Sequence, residues 1–491
     1  MVKVMLNNAK KVIEHLKKNG AEYADIRIHE LDEEEKISTM NGDIENYQLN
    51  NKQGYGIRVL VNGAWGFSSS EIMTLEAMIA NGESAIEKAQ SASQFIKQAI
   101  KLADKNAVQD SYISPCEIDP FSISAEDKIA RLLQLNKQLH HEKFEYTRVF
   151  ANFYKRHILY VDSDGSEIRR QLIEVDAGFF ANATDKDGLK QRRTFTMPQD
   201  ANGTTGWENI INDQQFDHTL RIRDELLTLL DAPLCEKETC DIILLPEMMA
   251  LQTHETIGHA LELDRILGYE LSYAGGSHVD LQDFGQLQFG SDKLTARADG
   301  TVANSPGSIG FDDDGVQARN VTLINKGKLQ DAITSRQMIM EANDKAKKIV
   351  FNASGATSRA QNYSNLPIER MNNINVDFGQ DGSLQDIIAA TKNGLLLESP
   401  RSWSIGSNRE NFHFATEIAW KIKDGKIVNM VRNATYRGDS LPFWRSLDKV
   451  GDASTWELQQ VFHCGKGQPN QVMRLAHGVP ACRFSNVQVG E

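Results

Sequence analysis

Cysteine is scarce: there are five in 491 residues, an odd number scattered from Cys116 to Cys482. That excludes a disulfide framework and fits a reducing cytoplasm. Long apolar runs are missing too, because no stretch approaches the ~20 apolar residues that span a bilayer. At the N-terminus, "MVKVMLNNAKKVIEHL" spaces its apolar residues as an amphipathic helix and does not fuse them into a secretory core. No export signal is expected. Positive charge is in deficit, and a formal net charge of −13 repels phosphate backbones and anionic lipid. Direct nucleic acid and membrane partners are therefore not expected. No phosphate loop, dinucleotide fingerprint or low-complexity segment occurs.

What remains is an ordinary globular composition in a chain long enough for roughly two to four domains. Val4, Val12, Ile13 and Leu16 predict a first helix ended by Asn19-Gly20, and Asn41-Gly42 and Asn62-Gly63 mark hairpin turns between alternating strands. Residues 71–101 and 125–141 predict long helices, and residues 148–196 return to strands. A proline-marked break at Ala232-Pro233 divides the chain into a mixed α/β unit, 1–231, and a predominantly β unit, 232–491, that carries one important helix of about 15 residues. The fold class is α+β. "LINKGKLQD" and "WKIKDGKIVNM" both read as hairpins, without other repetition around them.

The chemistry centres on "QTHETIGHALELD", where His254 and His259 stand five apart with Glu255 after the first. At about 100° per residue, partners five apart on a regular helix diverge by roughly 140° and cannot close on one ion. A local π-turn would bring them together, and Gly258 offers the backbone freedom for it. From the pair alone, a metal role and a plain buried histidine role both stay open. Glu262 and Asp264 lie one turn further on and could ligate a metal or orient the histidines. "CEKETC" at Cys235–Cys240 lacks a second ligand pair, so ordinary thiols are expected there. His140-His141 reads as solvent-facing, His278 as a loop histidine, and "FDDDGV" as a turn that lacks a calcium loop's full ligand set.

"HETIGHALELD" resembles the H-E-x-x-x-H-x-x-E-x-D element of the TldD/PmbA family of cytoplasmic metallopeptidases. "SIGFDDDGVQARNVTLINKGKLQDAI", "NLPIERMNNINVDFG" with its Pro-x-x-Arg-Met-x-Asn pattern, and "CGKGQPNQ" resemble further family segments, and "GAWGFSSS" and "AEYADIRI" extend the likeness more loosely into the N-terminal half. The resemblance implies zinc on His254, His259 and Cys464, with Glu255 as the catalytic carboxylate. Three protein ligands would leave the fourth tetrahedral position open for water, as in catalytic zinc sites. His463 adjoins Cys464, but consecutive side chains of a strand point to opposite faces, so only one of them can face the metal.

The resemblance further implies an enclosed dimer, formed by two copies or with a PmbA-like paralogue that lacks the ligands, acting on unfolded or short polypeptides and peptide precursors. This chain keeps every ligand and so resembles the active, TldD-like type. Two rival readings are a zinc amidohydrolase of non-peptide amides and a non-catalytic regulator. The family's name has been linked to DNA topology, but the acidic charge argues against direct DNA contact.

Overall fold

The structure is a computed structural model that describes residues 2–197, 206–467 and 470–490. Mixed helices and strands in the first half and strand-rich architecture in the second make it an α+β protein. Among the described residues no helix is long and apolar enough to cross a membrane.

Four long strands of 17 to 19 residues, Tyr23–Met40, Asp43–Val61, Tyr146–Asp162 and Glu167–Thr184, form the first sheet as antiparallel neighbours. Ala64–Ser70 closes one edge, and Gln109–Ile113 and Lys190–Thr196 both flank Glu167–Thr184. Asn41 and Gly42 have φ of 51° and 88°, and Asn62 and Gly63 have 50° and 71°. Both pairs thus make the left-handed two-residue turns whose twist suits a hairpin. Helices Val2–Lys18 and Leu75–Ser93 bury Val12, Leu16, Met78 and Ala85 against Ile26, Ile57 and Val59. Helices Ala125–Leu139 and Gln214–Asp231 cover a second apolar cluster around Phe153 and Phe179.

The expected first helix forms over Val2–Lys18, whereas one other expectation needs correction. The helix expected over 71–101 covers only Leu75–Ser93. Thr74 caps its start by accepting from the Ala77 amide at 3.2 Å. Beyond Ser93 the chain spends its amides elsewhere, Ile100 on the Gly63 carbonyl and Ala103 on that of Arg336. Tertiary backbone bonds there outweigh helix propensity.

The second sheet runs Asn393–Ile405, Glu238–Leu244, Cys482–Val489, Thr435–Asp439, Asn411–Lys423, Lys426–Val431. Because Asn393–Ile405 also pairs with Asn411–Lys423, the path closes on itself. The two hairpins read from "LINKGKLQD" and "WKIKDGKIVNM" form, in separate sheets. Leu244 leads through Leu245 into Pro246, the first residue of the helix Pro246–Thr253, where a missing amide costs nothing. Met248, Met249 and Ile257 sink into a core with Leu397, Phe414, Tyr436 and Phe484. This half also holds helices at Arg336–Ala346, Leu384–Ala389 and Ser440–Arg445, so the expected single important helix has companions.

The first turn of Pro246–Thr253 is tied to the first sheet by a buried ionic cluster. Arg193, on Lys190–Thr196, reaches Glu225 at 2.7 Å, Glu398 at 3.1 Å and Ser399 Oγ at 3.0 Å, and Ser399 in turn donates to Glu247. Burial, reinforced by repulsion from Glu398, pushes the Glu247 carboxyl up to about 8, against Ser399 and Arg193. Its folded-state value thus lies above the unfolded value of about 4.3. The associated stability is present below that value and is lost as pH rises towards about 8. We predict that the melting temperature falls between pH 5 and 9 and that Glu247→Gln falls less steeply, as read by differential scanning calorimetry. Parallel pH profiles would remove Glu247 as the cause.

Candidate metal centre

The helix from Pro246 is regular to Thr253, and then its pitch widens. The His259 amide donates to the His254 carbonyl, five residues back, and the chain tightens again over His259–Leu261. The single extra residue turns the second imidazole back towards the first, with ring centroids 4.7 Å apart and planes at 81°. Gly258 plays a different part from the one expected. Its φ of −55° is open to any residue, but a Cβ would lie 2.2 Å from Met371 Sδ. Close packing against Met371, not backbone freedom, favours glycine there.

Cys464 arrives on the strand Glu457–Lys466, paired with Gln471–Val479. A register shift between Val461 and Cys464 re-aims the strand, leaving His463 exposed and Cys464 buried. Cys464 Sγ stands 3.6 Å from His259 Nε2, and one ligand atom from each of His254, His259 and Cys464 lies within 4.8 Å of the others. Tetrahedral bonds of the usual Zn–N and Zn–S lengths place ligand atoms about 3.3–3.8 Å apart. The trio therefore fits a zinc ion after small side-chain rotations. Residues 468 and 469 of the "CGKGQPNQ" segment lie outside the described residues.

The surroundings prepare each of the three. His477 Nδ1 donates to the Ile374 carbonyl at 2.9 Å, so its Nε2 accepts from His254 Nδ1 at 2.8 Å. His259 Nδ1 donates to Glu262 at 2.8 Å. Both arrangements leave Nε2 of His254 and His259 with a lone pair for a metal. Burial pushes both imidazoles down from their usual values, which keeps them neutral. Burial alone would raise the Glu262 carboxyl, but Lys466, His259 and Arg265 hold it well below the carboxylate range. Burial would also raise the Cys464 thiol, yet the Arg370 guanidinium opposes it and the net shift is downward. Arg370 Nη2 donates to Cys464 Sγ at 3.1 Å and also to the Cys464 carbonyl. The site thus favours a thiolate.

Glu255 is buried beside His254, and among the described residues nothing forms a hydrogen bond or ion pair with its carboxylate. Asp264 does not touch the histidines; it pairs with Lys466 at 2.7 Å, and Lys466 stands 3.1 Å from Glu262. Among the described residues Cys235 and Cys240 gather no ligand set, and burial raises both thiols. His140 is exposed and His141 half-buried. Among the described residues His278 hydrogen-bonds only the Asn408 carbonyl, at 3.2 Å. "FDDDGV" is a turn whose Asp313 and Asp314 pair with Arg170 and Arg58. Sequence reasoning missed His477, a lone histidine in a strand with no spacing signal, and it quoted Arg370 within a motif without giving it a role.

Two buried imidazoles and one buried sulfur thus converge as a candidate metal-binding set, with the Glu255 carboxylate next in sequence to the first. Residues 237–491 match the PmbA/TldA metallopeptidase C-terminal domain, and residues 24–103 match PmbA/TldA metallopeptidase domain 1. The chain belongs to the PmbA/TldD metallopeptidase family. It is 28% identical over 463 residues to a metalloprotease of Methanocaldococcus jannaschii, covering 94% of this chain and 95% of that one. With a zinc metalloprotease TldD homolog of Saccharolobus solfataricus it shares 22% identity, over 98% of this chain and 99% of the other. Among solved structures, TldE from Thermococcus kodakarensis superposes with a TM-score of 0.71 at 14% identity, covering 99% of this chain and 100% of that one. A Thermotoga maritima protein does so with a TM-score of 0.75 at 13% identity, over 99% of each chain.

If His477 sets the tautomer of His254, then His477→Leu weakens divalent metal binding roughly 10–100-fold, whereas His477→Gln, which can still accept and donate, loses less. Chelator competition measures this. Equal affinities for the two variants would contradict the tautomer role.

Proposed function

We propose that this chain is a zinc-dependent peptidase of unfolded or short polypeptides and peptide precursors, built from a mixed α/β unit, 1–231, and a β-rich unit, 232–491. The convergence of His254, His259 and Cys464 within 4.8 Å, with the unpaired Glu255 beside them, carries this reading. His254, His259 and Cys464 would hold the ion. When bound there, zinc supplies a Lewis acid for the carbonyl oxygen and draws the pKa of water towards ~7. Glu255 accepts the proton of the attacking water and returns it to the leaving amine nitrogen. His477 and Glu262 keep the imidazoles turned with Nε2 free, and Arg370 keeps the sulfur ionised.

The strand that carries Cys464 supports a mode of substrate binding. Among the described residues Glu457–Lys466 pairs only with Gln471–Val479, and its Gln460, Phe462 and His463 line an open groove of about 360 Å³ together with Lys36, Arg148 and Asp176. Both amide atoms of Gln460 lack partners among the described residues. An extended peptide added to such an edge is held by main-chain hydrogen bonds, with little demand on its sequence. Ile44, Tyr47 and Leu49 are each more than 40% exposed on the part of Asp43–Val61 that Ala64–Ser70 does not cover. That apolar edge suits a second subunit, either a copy or a PmbA-like paralogue, and pairing would enclose the site in a cytoplasmic enzyme.

Glu255→Gln is expected to retain one zinc per chain by elemental analysis while losing ~10²–10⁴-fold in peptide cleavage. Normal turnover in that variant removes Glu255 from the reaction. Cleavage of folded proteins without cleavage of peptides would overturn the substrate assignment.

A further inference from the structure

A second charged group lies near the candidate metal centre, and its side-chain hydrogen bonds go to carbonyls. Arg409 lies in the connection between Asn393–Ile405 and Asn411–Lys423 and is only 8% exposed. Its guanidinium is held by carbonyls alone, Ala274 at 2.9 Å and Gly406 at 3.3 Å, and its Nε has no partner. Among the described residues no carboxylate lies within ion-pair distance of it.

The position connects directly to the site. The Ala274 carbonyl also accepts from Arg265 at 2.7 Å, and Arg265 bonds the Glu262 carboxylate that orients His259. Burial and the like charge of Arg265 push the Arg409 guanidinium down from its usual value, while Glu255, Glu262 and Cys464 pull the other way. Arg409 in turn helps to keep His254 neutral. A guanidinium does not discharge at working pH, so this is a fixed cation.

Its placement is also enforced at a cost. Arg409 has φ of 64°, a left-handed conformation that disfavours side chains. Its amide bonds the Gly406 carbonyl at 2.8 Å, and its own carbonyl accepts from Ser440 Oγ at 2.5 Å. The neighbouring loop fits because Gly275 has no side chain: a Cβ there would lie 1.8 Å from the Ser407 carbonyl oxygen.

A buried guanidinium bonded by carbonyls, with its Nε unpartnered among the described residues, gains most from an anion that comes within contact distance. Peptide hydrolysis makes one. As water adds to the carbonyl carbon, the C=O π electrons move to oxygen. When the C–N bond breaks they return, and nitrogen takes the proton carried by Glu255. We propose that Arg409 binds this anionic oxygen and stabilises it as it forms. The proposal rests on the peptidase reading above.

Arg409→Gly suits the test, because glycine adopts the local φ without strain. With zinc-loaded full-length protein and a peptide blocked at both ends, kcat should fall ~10²–10³-fold, as for loss of one oxyanion donor. The affinity of the phosphinic analogue of that peptide, read by calorimetry, should fall by a similar factor. Zinc content, melting temperature and binding of the blocked peptide to Glu255→Gln should be preserved when Arg409→Gly is added. Arg409→Lys, which keeps the charge but not the fork, should fall between wild type and Arg409→Gly, and carries the test if glycine unfolds the loop. Wild-type kcat and phosphinic affinity in Arg409→Gly overturn the assignment, as does a loss seen only with peptides that bear a free terminal carboxylate. A wild-type protein that cleaves no peptide overturns the peptidase reading itself, and this proposal with it.

Discussion

One hydrogen bond organises the centre: the His259 amide reaches back five residues to the His254 carbonyl. With a regular four-residue reach, the two imidazoles would stand about 140° apart around the helix. The widened turn instead places both rings on one side, where Cys464 meets them. Tight packing at Gly258 against Met371 holds the turn in place. Met371 in turn neighbours Arg370, the residue that bonds the Cys464 sulfur, so one short segment both packs against the distorted helix and meets the sulfur.

Around this turn the protein accepts an unusual density of buried charge. Glu262, Arg265, Lys466 and Asp264 are all buried and joined by contacts of 2.7 to 3.1 Å. Such groups are poor contributors to stability compared with well-packed apolar ones, and removing a single partner costs about 3–5 kcal/mol. Their use here is geometric, because they hold His259 in one tautomer and one orientation. The Arg193 cluster does comparable work at the other end of the helix, tying its first turn to the opposite sheet.

The parts of this arrangement differ in how far they could be read from residues alone. The need for a π-turn followed from helix geometry at His254 and His259, and the hairpins at Asn41-Gly42 and Asn62-Gly63 from local turn chemistry. Cys464 stands 205 residues from His259, and no spacing rule links them, so only the family likeness suggested it. His477 and Arg409 left no trace, because their partners are carbonyls and rings brought close by tertiary packing. Gly275 shows its use only in three dimensions, where the absence of a side chain lets two loops meet. Other misses were avoidable: Ser383 and Asp386 form a reciprocal cap that marks the helix Leu384–Ala389 in plain sequence.

The long separation between the imidazoles and the sulfur has a consequence for biosynthesis. A nascent chain that has emerged as far as His259 must still add 205 residues before it acquires the sulfur. On the proposed reading, a growing polypeptide cannot digest itself or the translation machinery around it. Destructive chemistry is withheld until the late hairpin folds back onto the early helix, so the order of synthesis acts as a safety catch.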